Sequence, residues 1–226
     1  MVQLVQSRGY DGLDLDLEGF AYTDGRSTWS TTRPAWVAFV TQLGAELHAR
    51  GKVLYATIPP TYNSDRASNS GYWVYDYAAI APHVDRVRLM AYDFSVSRAG
   101  AIAPYDWVDR LGSYAVTQIP SRKVVLGIPA YGRDWVTGVT GTCPDGASTS
   151  RRSLTTAAAW DLAEREGATA RWDPVTRERT FTYSEDFQQG EASCTVARVV
   201  HFSDASAIAE RTQLAQRHQL GGVALW

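Results

Sequence analysis

Cysteine, methionine and histidine are scarce in this chain, with two, two and four copies among 226 residues. Two cysteines and scattered histidines do not assemble the four N/S ligands of a structural zinc site. No run of 18 apolar residues occurs, which excludes an ordinary transmembrane helix. A basic excess is missing too. The formal net charge is −2, and nothing points to a nucleic-acid or membrane surface. The opening MVQLVQSRGYDG lacks the basic-then-apolar layout of a signal peptide. Cys143 and Cys194 read either as two unrelated buried thiols or as one disulfide closing a long loop; the second reading implies an oxidising compartment.

Aromatic residues, by contrast, are plentiful: 12% of the chain, with eight Trp and twelve Tyr. Most belong to packing, but the excess suits flat, partly apolar ligands such as sugar rings. Trp29, Trp73, Trp107 and Trp135 are candidates for lining such a cleft, with at least half of them expected to be core. Hydrophobic content of 45% and charged content of 20% are ordinary for a globular chain of one large domain, or one domain with an insertion.

The hydrophobic pattern alternates between two periods. Trp36, Phe39, Val40, Leu43 and Leu47 repeat at helical spacing, with Pro34 suited to a first turn and Gly51 to a stop. KVLYATI (52–58), RVRLMAYDF (86–94) and KVVLGIPAYG (123–132) read as buried strands, and PYDWVDRLGSYAV (104–116) as a helix between the last two. Such alternation predicts parallel βα units. The pattern changes at residues 136–196, which carry a Gly/Ser/Thr-rich loop (137–153), a helix and a hairpin, and read as a small α+β insertion. VARVVHFSD returns to strand, a helix follows to about Gln219, and GGVALW closes as a strand.

One short stretch, YDGLDLDLEG (10–19), joins four carboxylates to three leucines. Side chains alternate faces along a strand, so Asp14, Asp16 and Glu18 are expected on one face and Leu13, Leu15 and Leu17 on the other. The leucines ask for helices. The carboxylates ask for a polar cavity, because charges this close cannot all stay ionised in a dry one. Glu18, just before Gly19, is placed at the strand's C-terminal end, where βα-barrel active sites lie.

DGLDLDLE resembles the D-G-x-D-x-D-x-E signature of glycoside hydrolase family 18, the chitinase and N-acetylglucosaminidase family. LMAYDF, LGIPAYGR, VHFSDAS and GGVALW resemble later segments of that family in the same order. The resemblance implies a retaining hydrolysis of β-1,4-linked N-acetylglucosamine polymers in which the substrate's 2-acetamido oxygen is the nucleophile, with no metal or cofactor. In that scheme Glu18 is the general acid and then the base. Asp16 binds the acetamido N–H, Asp14 shares a proton with Asp16, and Tyr92 donates to the acetamido oxygen. Trp226 floors the sugar site, while Tyr131, Asp93 and Met90 are further substrate-binding candidates.

The implied fold is a partial TIM (β/α)8 barrel, strands 4 to 8, at residues 1–135 and 197–226, with the 136–196 insertion between strands 7 and 8. A complete barrel takes about 250 residues, so strands 1 to 3 are expected to be missing, along with any secretion signal of a secreted or cell-surface parent. Exposed sheet edges predict that the chain alone is insoluble or oligomeric and inactive. Two alternatives remain open: a chitin-binding lectin without turnover, and a hydrolase of peptidoglycan or spore cell wall.

Overall fold

The computed structural model describes residues 1–226. A helix α1 (Val2–Arg8) precedes strand β1 (Gly12–Leu15), which runs into the one-turn helix α2 (Gly19–Tyr22). Then come α3 (Trp29–His48), β2 (Val53–Ile58), the short α4 (Tyr77–Ile80), β3 (Arg86–Leu89), α5 (Tyr105–Gln118) and β4 (Val124–Ile128). The second half holds β5 (Tyr131–Gly141), β6 (Arg152–Thr155), α6 (Thr156–Arg165), β7 (Arg171–Asp173), β8 (Glu178–Gln189) and β9 (Ala192–Phe202). Helix α7 (Ala205–Arg217) and strand β10 (Gly222–Leu225) complete the chain.

Two five-stranded sheets result, ordered β1-β2-β3-β4-β10 and β6-β5-β9-β8-β7. The pairings β1·β2, β2·β3 and β3·β4 are parallel, and the pairings β5·β6, β5·β9, β7·β8 and β8·β9 of the second sheet are antiparallel. The protein is therefore α/β, as the alternating pattern predicts. Residues group into two compact units. The first comprises Met1–Ala91, Asp109–Gly127 and Gln213–Ala224; the second comprises Tyr92–Val108, Ile128–Thr212 and Leu225–Trp226.

The core of the first unit lies between the parallel strands and α3. Leu54, Ala56 and Ile58 of β2 and Val87 and Leu89 of β3 are buried in one cluster with Trp36, Val40 and Leu47 of α3. Tight spacing explains two glycines. A Cβ on Gly12 would lie 2.1 Å from the Val53 carbonyl oxygen, and one on Gly44 would lie 2.3 Å from that of His83. Pro34 sits inside α3 rather than in its first turn, because the helix starts earlier, at Trp29.

The second unit is organised around charge as much as apolar surface. Glu178 is fully buried and accepts the backbone N–H groups of Ile102 (2.8 Å) and Ala103 (2.6 Å). Arg211, also fully buried, pairs with Glu178 at 3.5 Å and donates to the carbonyls of Ala103, Thr176, Arg177 and Ala207. A second buried cluster joins Arg198 to Asp134 (3.2 Å) and Glu185 (2.6 Å), and Tyr183 donates to Asp134 (2.7 Å). Cys143 and Cys194 form a disulfide with Cα atoms 4.7 Å apart.

Several boundaries differ from those read in the sequence. Strand β3 ends at Leu89, not near Phe94. The stretch expected as a loop at 137–153 begins as strand, since β5 pairs with β9 as far as Gly141↔Cys194, across a bulge between Val136 and Gly138. It also ends as strand, in β6. Val136, Thr137, Val139 and Thr140 are β-branched and suit that ladder despite the intervening glycine.

Candidate active site

The signature segment is only partly strand. Strand β1 stops at Leu15, so alternation holds for Leu13, Asp14 and Leu15 and then lapses. Leu15 is buried, whereas Leu17 is 39% exposed. Asp14 nonetheless acts on Asp16, and Asp16 and Glu18 both act on Tyr75, so the three carboxylates stay in one neighbourhood. The chain turns because Glu18 already has helical φ and ψ (−106°, −27°) as the cap of α2, and the Leu17 carbonyl accepts the Tyr75 hydroxyl (2.8 Å) in place of a ladder partner.

Asp14 is held on both carboxylate oxygens. Thr57 Oγ1 donates to Oδ1 at 2.8 Å, and Arg88 Nη1 donates to Oδ2. Asp16 is exposed, yet partial desolvation, followed by the charge of Asp14, raises its pKa above the usual aspartate value. The Tyr22 hydroxyl lies close to Glu18, and the Tyr72 ring meets the Tyr22 ring edge-on at 5.1 Å. Burial first, then the nearby Glu18 carboxylate, pushes the pKa values of Tyr22 and Tyr75 far up, so both phenols stay protonated donors.

Of the substrate-binding candidates, Met90 belongs to the first unit: it is buried, and its N–H donates to the Ile58 carbonyl (3.0 Å). The others lie in the second unit. Tyr92 stacks on Trp226 with ring centroids 6.3 Å apart and planes 8° from parallel, and meets Tyr131 edge-on at 6.4 Å. Tyr131 donates to Asp93, which also pairs with Arg133 at 2.7 Å. Asp93 adopts a left-handed φ of 58°, an uncommon geometry for a residue other than glycine. Trp226 is 70% exposed and leaves a broad aromatic surface to solvent. Trp29, Trp107 and Trp135 are buried, and Trp73 is half-buried.

Arg88, Thr57, Tyr22 and Tyr75 were not singled out in the sequence. Arg88 had a signal, since it shares strand parity with Met90 and Tyr92. The tyrosines had none, because their link to Glu18 runs through the turn after Leu15.

Parallel βα units and a carboxylate cluster just beyond the C-terminal end of a strand define the class: a TIM-barrel-like α/β protein. The chain belongs to the glycosyl hydrolases family 18, whose family model matches residues 1–226. It is 28% identical over 227 residues to the "Putative sporulation-specific glycosylase YdhD" of Bacillus subtilis (strain 168), covering 99% of this chain and 48% of that protein. It is 26% identical over 198 residues to the cortical fragment-lytic enzyme of the same organism, covering 86% of this chain and 42% of that one. Among solved structures it superposes on a chitinase from Chromobacterium violaceum ATCC 12472 with a TM-score of 0.79 at 27% identity, covering 100% of this chain and 63% of that one. The chain thus spans about half the length of the curated relatives it matches. No helix is long and apolar enough to cross a membrane.

Proposed function

We propose that this chain carries the carboxylate centre of a retaining glycosidase that cleaves β-1,4-linked N-acetylglucosamine polymers with help from the substrate's own acetamido group. Glu18 protonates the leaving oxygen and later activates water. The protonated Tyr22 hydroxyl, close to Glu18, is a donor toward its carboxyl. Asp16 receives the acetamido N–H and stabilises the positive charge of the cyclic intermediate. Tyr92 donates its hydroxyl to the acetamido oxygen, and Trp226 provides an apolar floor. Tyr131 and Asp93 hold sugar hydroxyls, with Arg133 as their structural partner, and Met90 packs behind the strand. The observation that carries this reading is the intact Asp14, Asp16 and Glu18 set, with Asp14 anchored on both oxygens.

The presence of Glu18 argues against a lectin without turnover. Chitin is the first substrate we assign. The peptidoglycan of spore or cell wall is the second, favoured by the sporulation-specific name of one relative. The disulfide supports a secreted or cell-surface setting.

Release of reducing ends from chito-oligosaccharides, from peptidoglycan glycan strands and from cellulose oligomers tests the reading. Turnover of either N-acetylated substrate, with none on cellulose, supports it. A thiazoline mimic of the cyclic intermediate should inhibit, because it resembles the state that Asp16 and Tyr92 stabilise. Comparable turnover of cellulose overturns the acetamido route.

A further inference from the structure

Beyond Glu18 the chain turns into α2, and at the end of that single turn Tyr22 presents a ring that is 49% exposed. The half-buried Tyr72, from the segment between β2 and α4, meets that ring at 5.1 Å with the planes 74° apart. Both phenols lie close enough to Glu18 to feel its charge. A corner of two aromatic rings therefore stands beside the carboxyl assigned as the acid. One side of the corner is firmly built. Tyr72 packs on the buried Trp29 at 5.7 Å, and its N–H donates to the Pro60 carbonyl (2.9 Å). Arg26 lies 4.5 Å over the Trp29 ring and donates to the carbonyls of Ala67 (2.6 Å) and Gly71 (3.0 Å), which holds the approach to Tyr72. Gly71 has a left-handed φ of 75°, and a Cβ there would lie 2.4 Å from the Pro60 carbonyl oxygen. Tyr22, by contrast, leaves about half of its surface to solvent.

A lone exposed tyrosine needs no explanation; its place beside Glu18 does. The proton of Glu18 goes to the glycosidic oxygen, and as the bond to the reacting sugar breaks, that oxygen leaves as a hydroxyl of the departing sugar. The departing sugar must then come within a hydrogen bond of Glu18, and so against the Tyr22 ring. Asp16, which precedes Glu18 in the chain, is occupied by the acetamido group of the sugar that reacts. A β-1,4-linked ring of gluco configuration carries its substituents equatorially and offers faces of axial C–H groups, which suit the face of an aromatic ring. We propose that Tyr22 and Tyr72 form the binding corner for the leaving-group sugar, and that this corner sets the preference for a sugar over a smaller leaving group. The inference rests on Glu18 as the acid.

The test gives the whole chain two substrates that differ in what leaves. One is chitotetraose, or a peptidoglycan glycan strand where only that is cleaved; the other is β-chitobiosyl fluoride, whose fluoride has no ring to stack. Tyr22→Ala and Tyr72→Leu should each lower kcat/KM on the oligosaccharide, relative to the fluoride, about tenfold or more, since each strips an apolar contact from the sugar. Tyr22→Phe keeps the ring and should restore most of that ratio. Circular dichroism checks that the variants remain folded. An unchanged ratio in folded Tyr22→Ala and Tyr72→Leu, or a ratio that falls as far in Tyr22→Phe, overturns the proposal. If the parent chain cleaves no oligosaccharide, the hydrolytic reading fails and calorimetry with the same glycan decides the corner alone. Binding weakened about tenfold in Tyr22→Ala then supports it, while equal affinity, or no binding to the parent, overturns it.

Discussion

Arg88 and Asp14 form an ion pair that reaches from β3 to β1 across the intervening strand β2, which adds Thr57 to the same carboxylate. Three neighbouring parallel strands therefore each contribute one residue to a single anchored acid. With both oxygens occupied, the Asp14 carboxylate is held in one orientation. Both partners are about one-third exposed, at 36% and 31%, so the pair's value lies in geometry more than in stability.

Replacing Arg88 with Met frees one oxygen of Asp14 and lets it turn. The expected result is a fall in kcat of about tenfold with KM nearly unchanged, and partial recovery in Arg88→Lys. Initial rates on chito-oligosaccharides or peptidoglycan strands measure it. A kcat equal to that of the parent protein shows that the pair does not position Asp14.

Glu18→Gln removes the proton donor without changing size. Turnover should drop by about two to four orders of magnitude while oligosaccharide binding, followed by calorimetry, persists. Retained turnover removes Glu18 from the role of acid.

Half-buried His201 makes stability depend on pH. Burial lowers its pKa, against the opposing pull of Asp173, and its Nδ1 has no partner. The unfolded chain then protonates first, at about pH 6.5. Above that value His201 costs nothing. Below it, the unfolded state binds the extra proton and stability declines until the folded-state pKa is passed. Thermal midpoints at pH 7.5 and 5 should differ less in His201→Asn than in the parent, and equal differences refute the assignment.

Arg211→Met strands the buried Glu178 carboxylate without its cation. Denaturant unfolding should show a loss of about 3–5 kcal/mol. Because the two residues are coupled, the double variant Glu178→Gln/Arg211→Met should lose clearly less than the sum of the single changes. Strict additivity contradicts the pairing.

Cys143→Ser/Cys194→Ser opens a loop with a sequence separation of 51 residues, and the chain-entropy model assigns such a link about 4 kcal/mol. Less should be lost here, because Arg198 donates to the Ser148 and Ser150 carbonyls and holds the same loop. Urea midpoints of the oxidised protein and the double serine variant decide it.

The sequence was legible wherever one period ruled. RVRL shows alternate burial because it is packed more on one face, VLYATI ends in three buried residues as a central strand does, and the spacing from Trp36 to Leu47 names the buried side of α3. The acidic segment was legible as chemistry, but its backbone was not: the ladder ends at Leu15, and Glu18 already has helical φ and ψ. Arg198 and Arg211 were read past, since arginine is ordinarily a surface residue. Their partners lie far away in sequence or outside any local pattern: Asp134 is 64 positions from Arg198, and Glu178 is 33 positions from Arg211. No periodicity reports such pairs.

Gly12 carries no chemistry of its own, yet it sets a distance. With a Val53 carbonyl oxygen where its Cβ would be, even alanine must wedge β1 away from β2. That displacement falls on the strand that aligns Asp14 with Tyr55 and, through β2, with Thr57. A single methyl group, added without altering any charge, is thus enough to detune the acid centre. The glycine of the signature acts as a gauge for its carboxylates, and its loss should be felt first as slow turnover in a protein that still folds.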